Sequence, residues 1–186
     1  MNSKARDLVL ISMFAALTAV GAFIRIPVPI VPFTLQYFFC ALGGILLGGK
    51  RGAIAQILYV GIGLIGIPVF TQGGGPQYIL QPTFGYLLGF IVGAYIIGRI
   101  SEKTKDLTGK KIFMICLMGL GPLYVFGLIH MYIIMNFHLG QVYSVWKVLS
   151  IGFLACLGGD LTSTLLISLV GVRVIPILRK LGLTSQ

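Results

Sequence analysis

Acidic residues are nearly missing from this chain: four Asp and Glu stand against 14 Lys and Arg in 186 residues, and charged residues of both signs make up only 10%. So little charge excludes an ordinary water-soluble domain. Hydrophobic residues are 57% of the total and mean hydropathy is +1.00, which leaves too little polar surface to cover a core. Cysteine is scarce as well. Cys40, Cys116 and Cys156 lie in or at the edge of apolar runs, with no CxxC pair and no His at metal spacing, so they read as small buried hydrophobes. Catalytic signatures are also missing. There is no HExxH, no GxSxG and no acidic pair placed as in a two-carboxylate site, so nothing points to an intramembrane enzyme. Gly44 to Lys50, GILLGGK, fits the GxxxxGK of a phosphate loop, but Arg51 stands where Ser or Thr would hold Mg²⁺ and no strand precedes it. It reads as the end of a membrane span, and the chain carries no ATPase of its own.

What is present in quantity is apolar sequence. Runs extend from Leu8 to Ile24, Leu35 to Leu47, Gly52 to Ile67, Thr83 to Gly98, Ile112 to Met135 and Val148 to Val172. They predict an all-α integral membrane protein with six transmembrane helices in a single domain spanning residues 1–186. Crossing a bilayer takes about 20 helical residues, so the second and third runs are short unless loop residues complete them or the helices end below the surface. A β-barrel would show short alternating segments, and these runs are apolar all round. The first run follows a basic start, yet Gly21 and Ala22 offer only a vague cleavage site and five more runs follow, so it reads as a retained helix.

A net charge of +10 suggests nucleic acid only until the basic residues are placed. Lys4, Arg6, Lys50, Arg51, Arg99, Lys103, Lys105, Lys110, Lys111, Arg173, Arg179 and Lys180 fall on one side of the predicted spans, and Arg25 and Lys147 on the other. Both termini are therefore expected in the cytoplasm of a multi-pass protein in the cell membrane, with anionic lipid headgroups as neighbours and no nucleic-acid partner.

The outer connections, RIPVPIVPFTLQ, GIPVFTQGGGPQYILQPT and NFHLGQVYSVWK, are rich in Pro, Gly and aromatic residues and nearly free of charge. Loops in water are seldom so apolar, so all three are expected to fold over or into the bundle. Pro27, Pro29 and Pro32 predict a stiff first cap, and Gly73, Gly74 and Gly75 predict backbone N–H groups near a ligand. Asp160 is the one acid inside a span. Because a carboxylate in hydrocarbon is costly and usually faces a cavity or a partner, it is the first candidate for substrate contact. Arg25 and Lys147 could meet an anionic substrate or snorkel to headgroups, snorkelling being favoured for Lys147. His130 reads as a satisfied core histidine, and His138 carries no signal. Ala15 and Ala19 are four apart on one face of the first helix and allow close approach of another helix, of this chain or of a separate protein. A secondary permease with Asp160 as its proton site, and an intramembrane hydrolase using His130 and Asp160, are the competing classes.

The segments PVPIVPFTLQ, GGGPQYILQPTFGYLLGF and GGDLTSTLL, in this order, resemble the BioY family, the biotin-binding S components of energy-coupling factor (ECF) transporters, from about Ala15 to Leu166. The resemblance implies a six-helix S component that captures biotin at the outer face. It also implies partners, namely one ECF coupling membrane protein and two ATPase subunits, with no cofactor in the chain itself. Its AxxxA docking face falls on Ala15 and Ala19. The family's intramembrane Asp falls on Asp160, and its Lys three residues later is Ser163 here; Gln81 stands where Asn or a small residue is common, and His130 where Trp is usual. Thr34, Gln36 and Tyr86 match. Without the lysine, Arg25 is the obvious cation for a ligand carboxylate, or else the ligand is a lipoate-like acid or a biotin precursor. The expected wall of the site comprises Gly74 and Gly75 for close backbone approach, Gln81 and Tyr86 as hydrogen-bonding groups, and Phe84 with the first loop against apolar surface.

Overall fold

The computed structural model describes residues 3–26 and 30–180. Pro27 and Pro29 of the first cap lie outside these, as do the side chains of Arg179 and Lys180. Among the described residues six helices form one bundle, as expected. They are α1 (Ser3–Phe23), α2 (Gln36–Leu47), α3 (Gly49–Leu64), α4 (Phe84–Lys103), α5 (Gly109–Ile133, continued by a π turn at Ile134–His138) and α6 (Val145–Leu149, a π turn at Ser150–Leu154, then Ala155–Lys180).

Four of the six, α1, α4, α5 and α6, are long and apolar enough to cross a bilayer. The other two are not. With 12 and 16 residues at about 1.5 Å per residue, α2 and α3 fall well short of a hydrocarbon core about 30 Å thick. Their inner ends meet. The chain reverses between them at Gly48 alone, whose φ of 82° suits glycine, and Gly49 to Arg51, expected as a connection, already belong to α3. The missing length is therefore all at the outer end, and the long connections fill it. Helix α2 is the central one, buried from Gln36 to Leu47 on nearly every side and packed against α1, α3, α4 and α6.

Small residues set how closely the helices approach. Gly89 and Gly93 face α5 across a close seam, where an added Cβ would come within 2.5 Å of Leu123 Cα and 3.0 Å of the Gly119 carbonyl. That four-residue spacing is the small-residue packing pattern of membrane helices. The similar pair on α1 turns inward too. Ala15 is 3% exposed and belongs to the core, and Ala19 packs half-buried against it. The pair thus serves the packing of α1 on α2 and α3. The docking role expected for this pair would rest on the half-exposed Ala19, since Ala15 is buried.

The first outer connection is a small hairpin. Strand β1 (Arg25–Ile26) pairs antiparallel with β2 (Phe33–Thr34), Arg25 opposite Thr34, and the Leu35 N–H donates to the carbonyls of Gly21 and Ile24 at 3.2 Å each. The second connection doubles back over the end of α3 and includes a 3₁₀ turn at Pro76–Leu80. Its anchor is Phe70, which fills the space left by Gly63, where a Cβ would come within 2.0 Å of the Phe70 ring. The third departs from expectation. Phe137, Val142 and Trp146 are 80%, 94% and 70% exposed, so most of this loop stands off the bundle, with Tyr143 packed half-buried against it. Asn136 pinches its ends together, its side chain accepting from Tyr143 N–H at 2.9 Å and donating to Tyr143 O at 3.2 Å. Lys147 Nζ lies 3.7 Å above the Tyr143 ring, an arrangement suited to the headgroup level.

Candidate functional site

Because α2 starts deep in the bundle, its first residues, Gln36 and Tyr37, lie beneath the hairpin and not at the surface. Between them and that cover is a cavity enclosing about 520 Å³ of space free of protein atoms, its open mouth included. Val31, Pro32, Phe33 and Thr34 form its cover, Gln36 and Tyr37 its floor, and Tyr86, Leu87 and Phe90 of α4 one wall. Thr71 and Thr83 of the second connection, Leu123 of α5, and Cys156 and Asp160 of α6 complete it.

Each polar group is held by the chain. Asp160, 8% exposed, accepts a hydrogen bond from the Tyr124 hydroxyl behind the cavity wall, and its own backbone carbonyl accepts from Thr164 Oγ1 at 2.8 Å. Tyr86 lays its ring against Gly127 and donates its hydroxyl to Gly152 O at 2.9 Å, inside the π turn of α6. Tyr37 donates to the Cys116 carbonyl of α5. Tyr78, outside the cavity, lies 3.0 Å from Thr71 Oγ1 and 3.4 Å from Thr83 Oγ1 and so steadies both threonines. The cover is seated on α6. Phe33 packs over Gly159, where a Cβ would come within 2.1 Å of its ring, and Cys156 Sγ is 3.7 Å from Val31 O.

Of the residues expected at the site, Asp160, Tyr86, Thr34 and Gln36 line the cavity together. The others do not. Gly75 spends its N–H on Gly63 O at 2.7 Å, and a Cβ on Gly74 would come within 2.3 Å of Ile67 O, so these glycines fold the loop onto α3. Gln81 holds the loop through its carbonyl, which faces His130 Nε2 at 3.2 Å, and Phe84 packs its ring 5.7 Å from that imidazole. His130 is thereby satisfied by the chain, as expected, though it is half-buried and not in the core. Ser163 is 1% exposed, off the cavity, with its Oγ unpartnered. Arg25 is exposed at the rim and donates to the Thr71 carbonyl; it ties the first loop to the second. Among the described residues, no Lys or Arg lines the cavity.

Thr71, Thr83, Tyr37, Leu87, Phe90, Leu123 and Cys156 were missed by sequence reasoning. The spacing of Tyr86, Leu87 and Phe90, three and four apart at the start of a helix, carried a usable signal, since such residues share a face. Nothing comparable marked Thr71 or Leu123.

A six-helix bundle with a capped, mixed polar and apolar cavity at one end defines a membrane protein built to hold a small molecule. The BioY family model matches residues 1–180, and the chain belongs to that family. It is 45% identical to a probable biotin transporter BioY of Lysinibacillus sphaericus over 93% of this chain and 88% of that protein. Against the biotin transporter BioY of Thermotoga maritima it is 38% identical, over 90% and 95%. The fold matches the crystal structure of the S-component for biotin from an ECF-type ABC transporter, with a TM-score of 0.79, 25% identity, and coverage of 94% of this chain and 93% of that one.

Proposed function

We propose that this chain is the substrate-capturing S component of an ECF transporter, which binds biotin in the capped cavity at the extracellular face and delivers it inward. The protein is a transporter and not an enzyme. Both termini lie in the cytoplasm, the chain sits in the prokaryotic plasma membrane, and ATP hydrolysis belongs to two ATPase subunits that act through a coupling membrane protein.

The observation that carries this reading is the cavity between the hairpin cover and Asp160. Its chemistry suits a bicyclic urea with a carboxylate tail. Asp160 is an acceptor suited to an N–H group, the threonines and Gln36 supply further hydrogen bonds, and Val31, Leu87, Phe90 and Leu123 meet the apolar parts. Among the described residues no cation lines the interior, so the ligand carboxylate faces the mouth, where Arg25 is placed. A lipoate-like acid has no N–H to offer Asp160, and the named relatives favour biotin over it and over a proton-coupled permease.

The test is titration of the purified protein in detergent with biotin and with lipoate, alongside uptake in cells with and without a co-expressed ECF module. Tight binding of biotin alone, and uptake that needs the module, is the expected result. Equal affinity for lipoate, or uptake driven by a proton gradient without ATPases, would overturn it.

A further inference from the structure

Tyr59 of α3 lies behind the cavity wall, 1% exposed, and does not line the cavity itself. Its hydroxyl carries one hydrogen. Val69 O, a backbone carbonyl that can only accept, lies 3.1 Å away and takes it. The same oxygen lies 2.7 Å from the Gln36 side-chain amide, so it is left to accept there, and the amide must turn its nitrogen, Nε2, toward Tyr59. With the nitrogen so placed, Gln36 Oε1 points the other way and accepts from Thr34 Oγ1 at 3.0 Å. Thr34 Oγ1 in turn receives the Gln36 backbone N–H at 3.3 Å. All hydrogens in this chain of bonds therefore point one way. What Gln36 and Thr34 have left is one donor, the second N–H of Gln36 Nε2, and one lone pair each on Gln36 Oε1 and Thr34 Oγ1.

We infer that Tyr59 is a positioning residue, which sets the direction of the Val69–Tyr59–Gln36–Thr34 chain and makes the floor of the cavity select a ligand group with a carbonyl oxygen beside an N–H. A cyclic urea or lactam has that pattern. This rests on the biotin reading and deepens it: the urea ring faces α2 and its carbonyl accepts from Gln36. With Tyr59 Oη gone, the Gln36 amide loses the partner that orients it and can turn either way.

The experiment compares wild type and Tyr59→Phe, which keeps the ring and its edge contact with Phe70 at 5.5 Å. Purified protein is titrated with biotin, with the analogue whose urea C=O is replaced by C=S, a weak acceptor with both N–H groups kept, and with desthiobiotin, whose urea is intact. Wild type should prefer biotin to the C=S analogue by about tenfold or more, the scale of one lost hydrogen bond in a dry site. In Tyr59→Phe biotin should weaken by about tenfold and the preference over the C=S analogue should drop to about threefold or less, while the biotin to desthiobiotin ratio stays as in wild type. A C=O to C=S preference that survives the substitution, even with every affinity reduced, overturns the positioning role. Should Tyr59→Phe not fold, Gln36→Glu serves instead: with no amide N–H it should abolish the C=O to C=S preference, and a retained preference counts equally against the inference. Wild type that binds no biotin removes the functional reading beneath it, a result distinct from either.

Discussion

The first and third outer connections are alike in composition and opposite in fate. Both are apolar, aromatic and nearly uncharged, yet Val31 and Thr34 of the first are buried over the cavity, while Phe137, Val142 and Trp146 of the third stand free. The difference lies beneath them. The first loop lands on α2, a helix of 12 residues that leaves a gap under it. The third joins the two longest helical stretches, of 30 and 34 residues. Whether an apolar loop becomes a lid is thus decided by the length of the helices below it more than by its own residues. The exposed loop keeps its aromatics for the membrane interface, where such side chains are stable.

This contrast can be broken most forcefully at the seat of the lid. Gly159→Ala puts a methyl group where the Phe33 ring now lies; overpacking of this kind costs about 1–3 kcal/mol, so biotin affinity should fall about tenfold to a hundredfold by calorimetry. The neighbouring Gly158→Ala meets nothing within 4 Å and should leave affinity unchanged. Equal effects at the two positions would show that the lid is not seated there. Next in size is Asp160→Asn, which keeps the shape of the side chain but loses its charge. Hydrogen bonds to charged groups exceed neutral ones by about 1 kcal/mol, so binding should weaken by about fivefold with the thermal melting profile retained, and undiminished affinity would take Asp160 out of the site. Smallest of all is the effect expected in the third loop. Val142→Ser with Trp146→Ser should leave biotin affinity within about twofold of wild type, as surface changes usually do, and a larger loss would mean that this loop also closes on the ligand.

Much of the fold could be read along the chain, and about half of the site. The six apolar runs became six helices, and the shortness of the second and third was itself the sign that the outer end is built from loops. Asp160, Thr34, Gln36 and Tyr86 were reached through rarity in hydrocarbon or through the resemblance, and they do line the cavity. Gly74, Gly75, Gln81, Phe84 and Ser163 lie off the cavity. Local sequence does not say whether a group is already engaged by its own chain, and Gly75 and Gln81 spend their backbone groups on Gly63 and His130. The spacing of Ala15 and Ala19 likewise marked close packing without saying against what.

Composition and hydropathy alone made this an α-helical membrane protein, because in hydrocarbon each backbone N–H and C=O must find its partner within the segment. The rarity of acids inside those segments singled out Asp160 for the same solvent reason. Which side chains meet around the cavity was decided only by tertiary structure, since it depends on the rotation of each helix and on contacts between distant residues. Phe33 rests on Gly159, Tyr86 reaches Gly152 and Tyr59 orients Gln36, and close packing at such points acts over a few ångströms in space whatever the separation along the chain.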